Sequence, residues 1–266
     1  SEQFGIRVFI NKDGNLFAYG EARVGTLPKV NRMLEEAGSA MRYKNLLGIT
    51  LGTGFGGGVV IDGKLLSGDN GCGGDVWLMR NSLYPELIAE ESVSIRAVRR
   101  VYREYAKEDS RENLTPKDIF DIAEGIAEGN VNAARQAFSQ LGKAAADAIV
   151  HALDIIDGLV VIGGGLSGAA KYIVPAMKEQ MRSRLSTFGG DHFPCLQSEV
   201  YDLNATEELA EFLRDDSTLV QVPGAERSVR YRNSRKTGIA VSSIGTSTAI
   251  ALGAYAFALN NLNKSK

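Results

Sequence analysis

Residues 45–66 read NLLGITLGTGFGGGVVIDGKLL, and within them five of the seven residues of GTGFGGG (52–58) are glycine. Apolar, partly β-branched runs on both sides (45–51 and 57–66) predict strands, and Asp62-Gly63 is a hairpin turn signal. The chain must therefore turn tightly between two paired strands. Glycine accepts positive φ and lets backbone N–H groups approach a ligand closely. Successive N–H groups in such a turn form an anion nest, and Thr53 adds a hydroxyl. No Gly-Lys-Ser/Thr follows, which excludes the lysine-bearing phosphate loop. A loose G-x-G-x-x-G is present, but a strand follows it where the dinucleotide fingerprint needs a helix. Alone, the stretch reads equally as a structural turn or as a phosphate cradle.

Composition narrows the class. Of 266 residues, 44% are hydrophobic and 23% charged, which suits a globular chain with a buried core. The net charge of −2 argues against a bulk nucleic-acid or membrane-surface binder. No apolar run reaches membrane-spanning length, and no signal peptide is visible. Two cysteines, Cys72 and Cys195, offer no disulfide framework and suit a reducing cytoplasm. With only His151 and His192 besides, a Cys/His zinc site would need all four to converge.

The remaining pattern alternates strands and helices, an α/β reading. IRVFI (6–10) reads as a buried strand, NKDGN as its turn, and Asn15 as the N-cap of a following helix. The segment from Ala89 to about Leu153 reads as three helices: AEESVSIRAVRRVYREYA, then one capped by Thr115 with Pro116 first, then a long alanine-rich one. GLVVIGGGLSGAA (158–170) reads as strand, glycine turn and helix. ATEELAEFL reads as a helix and STLVQV as a strand. ERSVRYRNSRKTGIAVSS reads as a strand pair around an exposed basic turn, and STAIALGAYAFALNNL as an apolar C-terminal helix.

Two further stretches carry chemistry. In VVIGGGLSGAA (160–170) a ligand can meet a helix N-terminus, although tight strand–helix packing explains the glycines as well. In FINKDGN (9–15), Asp13 stands at the end of a predicted strand, where α/β folds place ligands. It reads either as an Asx-turn residue or as a general base able to take a proton from an attacking hydroxyl.

In this order and spacing, the three stretches resemble the ROK family, the bacterial sugar kinases and sugar-responsive repressors of the actin-like ATPase superfamily. FINKDGNLFAYGEA resembles the family's catalytic segment, and GITLGTGFGGGVVIDGKLLSGDNGCGGDVW its second phosphate segment and sugar loop. LVVIGGGLS resembles the adenosine segment and AIALGAYAFAL the closing helix with Gly253-Ala254. The resemblance implies an α/β, ribonuclease H-like domain with a mixed sheet flanked by helices. Residues 1–45 would end the N-terminal lobe with the catalytic strand and the following helix, and 46–266 would form the C-terminal nucleotide-binding lobe.

The resemblance also implies function: a glucokinase-like, ATP- and magnesium-dependent phosphorylation of a hexose or related sugar in the cytoplasm. Asp13 would be the base. Gly52, Thr53, Gly54 and Gly56 would hold phosphates, and Gly163, Gly164 and Gly165 would border adenosine. Asp75 and Glu90 would contact sugar, with Lys12 at the family's sugar-binding asparagine. Glu90 also reads as a solvated first-turn glutamate. A homodimer is the family's common state. The alternative is a sugar-responsive regulator whose DNA-binding segment lies upstream of Ser1.

Four departures stand out: Lys12 for asparagine, Asp75 for glutamate, Leu78 for a histidine, and the absence of the zinc cysteine cluster, so no structural zinc is expected. The family's first phosphate motif, Asp-x-Gly-Gly-Thr, is not found either. The expectation is a C-terminal portion of a longer kinase, inactive by itself.

Overall fold

A computed structural model describes residues 5–107, 111 and 113–264. The first described segment departs from expectation. Residues 6–10 form no strand, and Ile6, Val8 and Ile10 are 64%, 54% and 88% exposed. β propensity is realised through pairing and same-face packing, and none of the described strands lies beside this run. Helix α1 (Asp13–Arg23) begins earlier than expected, and its N-cap is Lys12 rather than Asn15. Asn15 is buried inside the first turn, with Nδ2 donating to Asn11 Oδ1 at 2.9 Å. Asp13 thus stands at a helix N-terminus, not at a strand end. A carboxylate there is favoured by the exposed N–H groups of the first turn. Helix α2 (Thr26–Glu36), which the sequence reading did not delimit, follows.

The glycine-rich stretch folds as expected. Strands β1 (Leu46–Leu51), β2 (Phe55–Ile61) and β3 (Lys64–Leu65) form an antiparallel meander. Asp62 and Gly63 both have positive φ, 49° and 72°, as a tight hairpin requires. The segment read as one helix from Ala89 is broken: a 3-10 turn at Ala89–Glu91 precedes α3 (Ile95–Ala106). Ser94 causes the restart, its hydroxyl accepting from Ala97 N at 3.4 Å. Helix α4 (Pro116–Ala123) has the expected Thr115 cap, completed by Asp118 into a capping box. The alanine-rich helix is α5 (Val131–Ile156).

β4 (Leu159–Gly163) runs through a 3-10 turn (Gly165–Ala169) into α6 (Ala170–Met181). An exposed hairpin, β5 (Arg184–Ser186) with β6 (His192–Pro194), leads to β7 (Glu199–Asp202) and α7 (Thr206–Leu213). The arginine-rich segment pairs differently from its reading. β9 (Ser228–Tyr231) pairs backwards with β8 (Thr218–Gln221) in a solvent-exposed ribbon. β10 (Lys236–Val241), buried over most of its length, enters the main sheet, and α8 (Thr246–Lys264) closes the described chain.

The main sheet has the order β3-β2-β1-β4-β10-β7, with β1, β4, β10 and β7 parallel, β2 antiparallel to β1, and β3 antiparallel to β2. Alternation along the strands feeds two cores. Leu46, Leu159 and Val161 pack with Phe17 of α1, Phe212 of α7 and Ala249 of α8. Leu47, Ile49, Val160 and Ile162 pack with α3, α5 and α6. On the first face, α1 and α8 touch backbone to backbone. A Cβ at Gly20 would fall 2.0 Å from the Ala249 carbonyl, and one at Gly253 would fall 1.8 Å from the Leu16 carbonyl. In that contact Gly20 faces Ala249 and Gly253 faces Leu16, so the two helices run in opposite directions along it.

Candidate active site

At the C-terminal ends of β1 and β4, the β1–β2 turn, the β4–α6 turn and the starts of α1 and α8 surround a cleft of about 570 Å³. The glycine turn forms one wall. Gly52 N donates to Gly54 O at 3.1 Å, closing the turn, while Gly52 O accepts from Ile95 N at 2.8 Å and so anchors it to α3. Gly52, Thr53, Gly54 and Gly56 all line the cleft. Asp13 lies across from them, with Oδ1 accepting from Gly14 N at 2.8 Å.

Gly164 completes the floor. Its φ is +90°, and a Cβ would fall 2.2 Å from Leu51 O, so both conformation and space require glycine. Its N–H donates to Thr246 Oγ1 at 2.7 Å, joining the β4 turn to the first residue of α8. Two helix N-termini and a glycine turn therefore share one cleft, an arrangement of donors that favours anions.

The remaining expected residues separate into distinct settings. Glu90 lines the cleft, yet its carboxylate is occupied by the turn: Oε2 accepts from Phe55 N at 3.0 Å, and Oε1 lies 3.4 Å from Arg96 Nη2. A Cβ at Gly54 would fall 2.4 Å from the same Oε2. Bonds from Arg96 to Glu91 and Glu90 push the Arg96 guanidinium above its ordinary range. Lys12 and Asp75 bind each other, with Nζ donating to both carboxylate oxygens at 2.6 and 2.7 Å. The two departures from the family pattern are thus one ion pair beside the cleft, tying the start of α1 to the loop after β3. Gly163 is buried beneath the cleft against Phe17.

Gly165 opens onto a neighbouring cleft of about 290 Å³, walled mainly by Pro116, Phe120, Phe138 and Leu166. The two clefts adjoin at Gly164-Gly165. One offers N–H groups, the other apolar and aromatic surface. The sequence reading did not mark this second cleft, because its walls come from α4, α5 and the 3-10 turn and share no local motif. It also missed Trp77 and Thr246 on the first cleft. Thr246 at the start of an apolar helix carried a signal as a cap residue; Trp77, 37% exposed, carried none.

Known proteins resemble this chain in sequence and fold. The family model described as ROK family matches residues 1–82 and 84–202. The chain is 28% identical over 222 residues to a glucokinase of Halalkalibacterium halodurans, covering 71% of this chain and 62% of that protein. It is 55% identical to the crystal structure of a glucokinase from Parabacteroides distasonis, with a TM-score of 0.89, covering 97% of this chain and 70% of that one. A ROK family glucokinase from Streptomyces griseus, solved in complex with glucose and AMPPNP, shares the fold at 19% identity and a TM-score of 0.55, over 95% of this chain and 68% of that one. The chain thus spans about 60% of the length of the first of these relatives. The mixed sheet flanked by helices is that of actin-like ATPases, and by the extent of the family match the chain belongs to the ROK family.

Proposed function

We propose that the protein works as an ATP-dependent sugar kinase of glucokinase-like class, acting on a hexose or related sugar. One observation carries the reading: a single cleft gathers the glycine turn at 52–56, Gly164, two helix N-termini and two carboxylates, of which Glu90 is bound to the turn and Asp13 is not. Backbone donors suit a polyphosphate, and the apolar cleft beyond Gly165 suits a purine. The glucokinases of Halalkalibacterium halodurans and Parabacteroides distasonis support the same class. The sugar-responsive regulator draws no support from them. Residues 1–45 would belong to the end of the N-terminal lobe and 46–266 to the nucleotide-binding lobe.

In this reading the N–H groups at 52–56 and Thr53 hold the phosphates, Gly164 and Gly165 pass the nucleotide toward its base, and Gly163 supports them from beneath. Asp13 accepts the proton of the attacking sugar hydroxyl. The sugar oxygen bonds to the γ-phosphorus as the bond from that phosphorus to the bridging oxygen breaks, and ADP leaves with the electron pair. Magnesium, arriving with the nucleotide, would neutralise phosphate charge. Asp75 lies on the sugar side, already oriented by Lys12, and Glu90 braces the turn that holds the phosphates. The enzyme would act as a soluble cytoplasmic homodimer.

The test is a panel of hexoses and N-acetylhexosamines with ATP and magnesium, on the wild type and Asp13→Asn. General-base catalysis contributes about 10²–10⁴ in rate, so turnover should fall at least about 100-fold while sugar binding persists. Undiminished turnover in the variant would remove Asp13 from the role.

A further inference from the structure

The opposite end of the sheet has a different character. There the segments entering β1, β4, β7 and β10 converge on a cavity of about 280 Å³. Arg42, Lys44, Arg232 and Arg235 line it, with Asp157 as their carboxylate. Lys236 also reaches it, but its ammonium is satisfied by the Glu211 and Arg214 carbonyls at 3.0 and 3.1 Å and by Asp216 at 3.4 Å.

The other cations are less engaged. Arg42 donates to the Ser39 and Met41 carbonyls and has Glu35 at 3.8 Å; Lys44 has Asp62 at 3.4 Å. Glu35 and Asp62 are 73% and 69% exposed, so these pairs are weak and screened. Arg235 donates to the neutral Gln197 side chain. Arg232 stands out. It is half-buried, and among the described residues its one hydrogen bond goes to the Met41 sulfur at 2.9 Å. A guanidinium carries five donors and stays charged in proteins, and a thioether is a weak acceptor. Neither Arg232 nor Arg235 is ion-paired with a carboxylate among the described residues.

A second cavity, of about 290 Å³, adjoins the first through Asp157, Ser198 and Arg235. Its added polar walls are Asp154, Gln197 and Thr237. One chamber is thus cationic with unspent donors, and the next is lined by groups that bond hydroxyls.

We propose that this end of the sheet binds a phosphate monoester bearing several hydroxyl groups. Arg232 and Arg235 take the phosphoryl oxygens, for which the planar guanidinium fork is suited. Asp157, Ser198 and Gln197 take the hydroxyls. A sugar phosphate fits this class and is also the product of the reaction proposed above. That link rests on the kinase reading; the site itself does not, and its test uses no nucleotide.

The test is a titration of the full chain followed by backbone amide NMR, with inorganic phosphate, glucose 6-phosphate and glucose as separate probes. Glucose 6-phosphate should shift the amides of Tyr43, Lys44, Asp157, Ser198 and Arg235, saturating at lower concentration than inorganic phosphate, while glucose alone leaves them unmoved. Arg232→Gln and the more exposed Lys44→Gln should each weaken binding about tenfold with the spectrum otherwise preserved. Shifts confined to residues 52–56 and 164, or unchanged affinity in both variants, would overturn the site. Equal affinity for phosphate and glucose 6-phosphate would overturn the assignment of the second chamber to hydroxyls.

Discussion

The two ends of the parallel strands meet anions by different means. At the C-terminal end the donors are backbone N–H groups, fixed by glycine turns and the starts of α1 and α8, and the nearest charged groups, Asp13 and Glu90, are negative. At the N-terminal end the donors are guanidinium and ammonium groups on flexible side chains. The first arrangement is preorganised, with a proton acceptor built in, which suits chemistry. The second supplies positive charge on movable side chains, with Asp157 its lining carboxylate, which suits binding. Removing side chains should therefore damage the two ends differently.

The largest expected effect is on the glycine-lined end: Asp13→Asn lowers turnover at least about 100-fold, while Arg232→Gln leaves turnover without added sugar phosphate at the wild-type value. Equal losses would erase the distinction. Gly164→Ala comes next. It forces a side chain onto positive φ and against Leu51 O, at a cost of about 1–3 kcal/mol, read as a lower urea midpoint with weakened ATP binding.

Glu90→Gln should be milder. It keeps an acceptor for Phe55 N but removes the charge, a change of about 1 kcal/mol, or roughly fivefold in KM for ATP if the brace on the turn carries through. A KM change for sugar alone would put Glu90 on the sugar instead. The smallest is Thr115→Ala, which removes the capping box of α4 for about 1 kcal/mol. It should lower thermal stability and leave both ends of the sheet unaffected in ligand binding.

Local chemistry makes the glycine-lined end partly legible in the sequence. Glycines at 52–58 and 163–165 announce the two turns, with Gly57, Gly58 and Gly164 leaving no room for a Cβ, and the Asp62-Gly63 hairpin and Thr115 cap obey short-range rules. Helices α4 and α5 followed from cap and period. The failures have a common cause. IRVFI looks like a buried strand by composition, but burial depends on a neighbour that a local window does not contain. β9 alternates correctly yet pairs with β8, a choice set by tertiary contacts. Ser94, a cap inside an otherwise helical run, was overlooked, and it is what separates Glu90 from α3. The Lys12–Asp75 pair bridges 63 positions, and the arginine cavity collects side chains from four strand entrances. Neither arrangement has a sequence signature of its own.

The comparison between the ends is tested most directly by a crystal structure with AMPPNP and magnesium. The account predicts phosphates within hydrogen-bond distance of the amides at 52–54, with the base in the cleft walled by Phe120, Phe138 and Leu166. Phosphates seated on Arg232 and Arg235, with the glycine cleft empty, would contradict it.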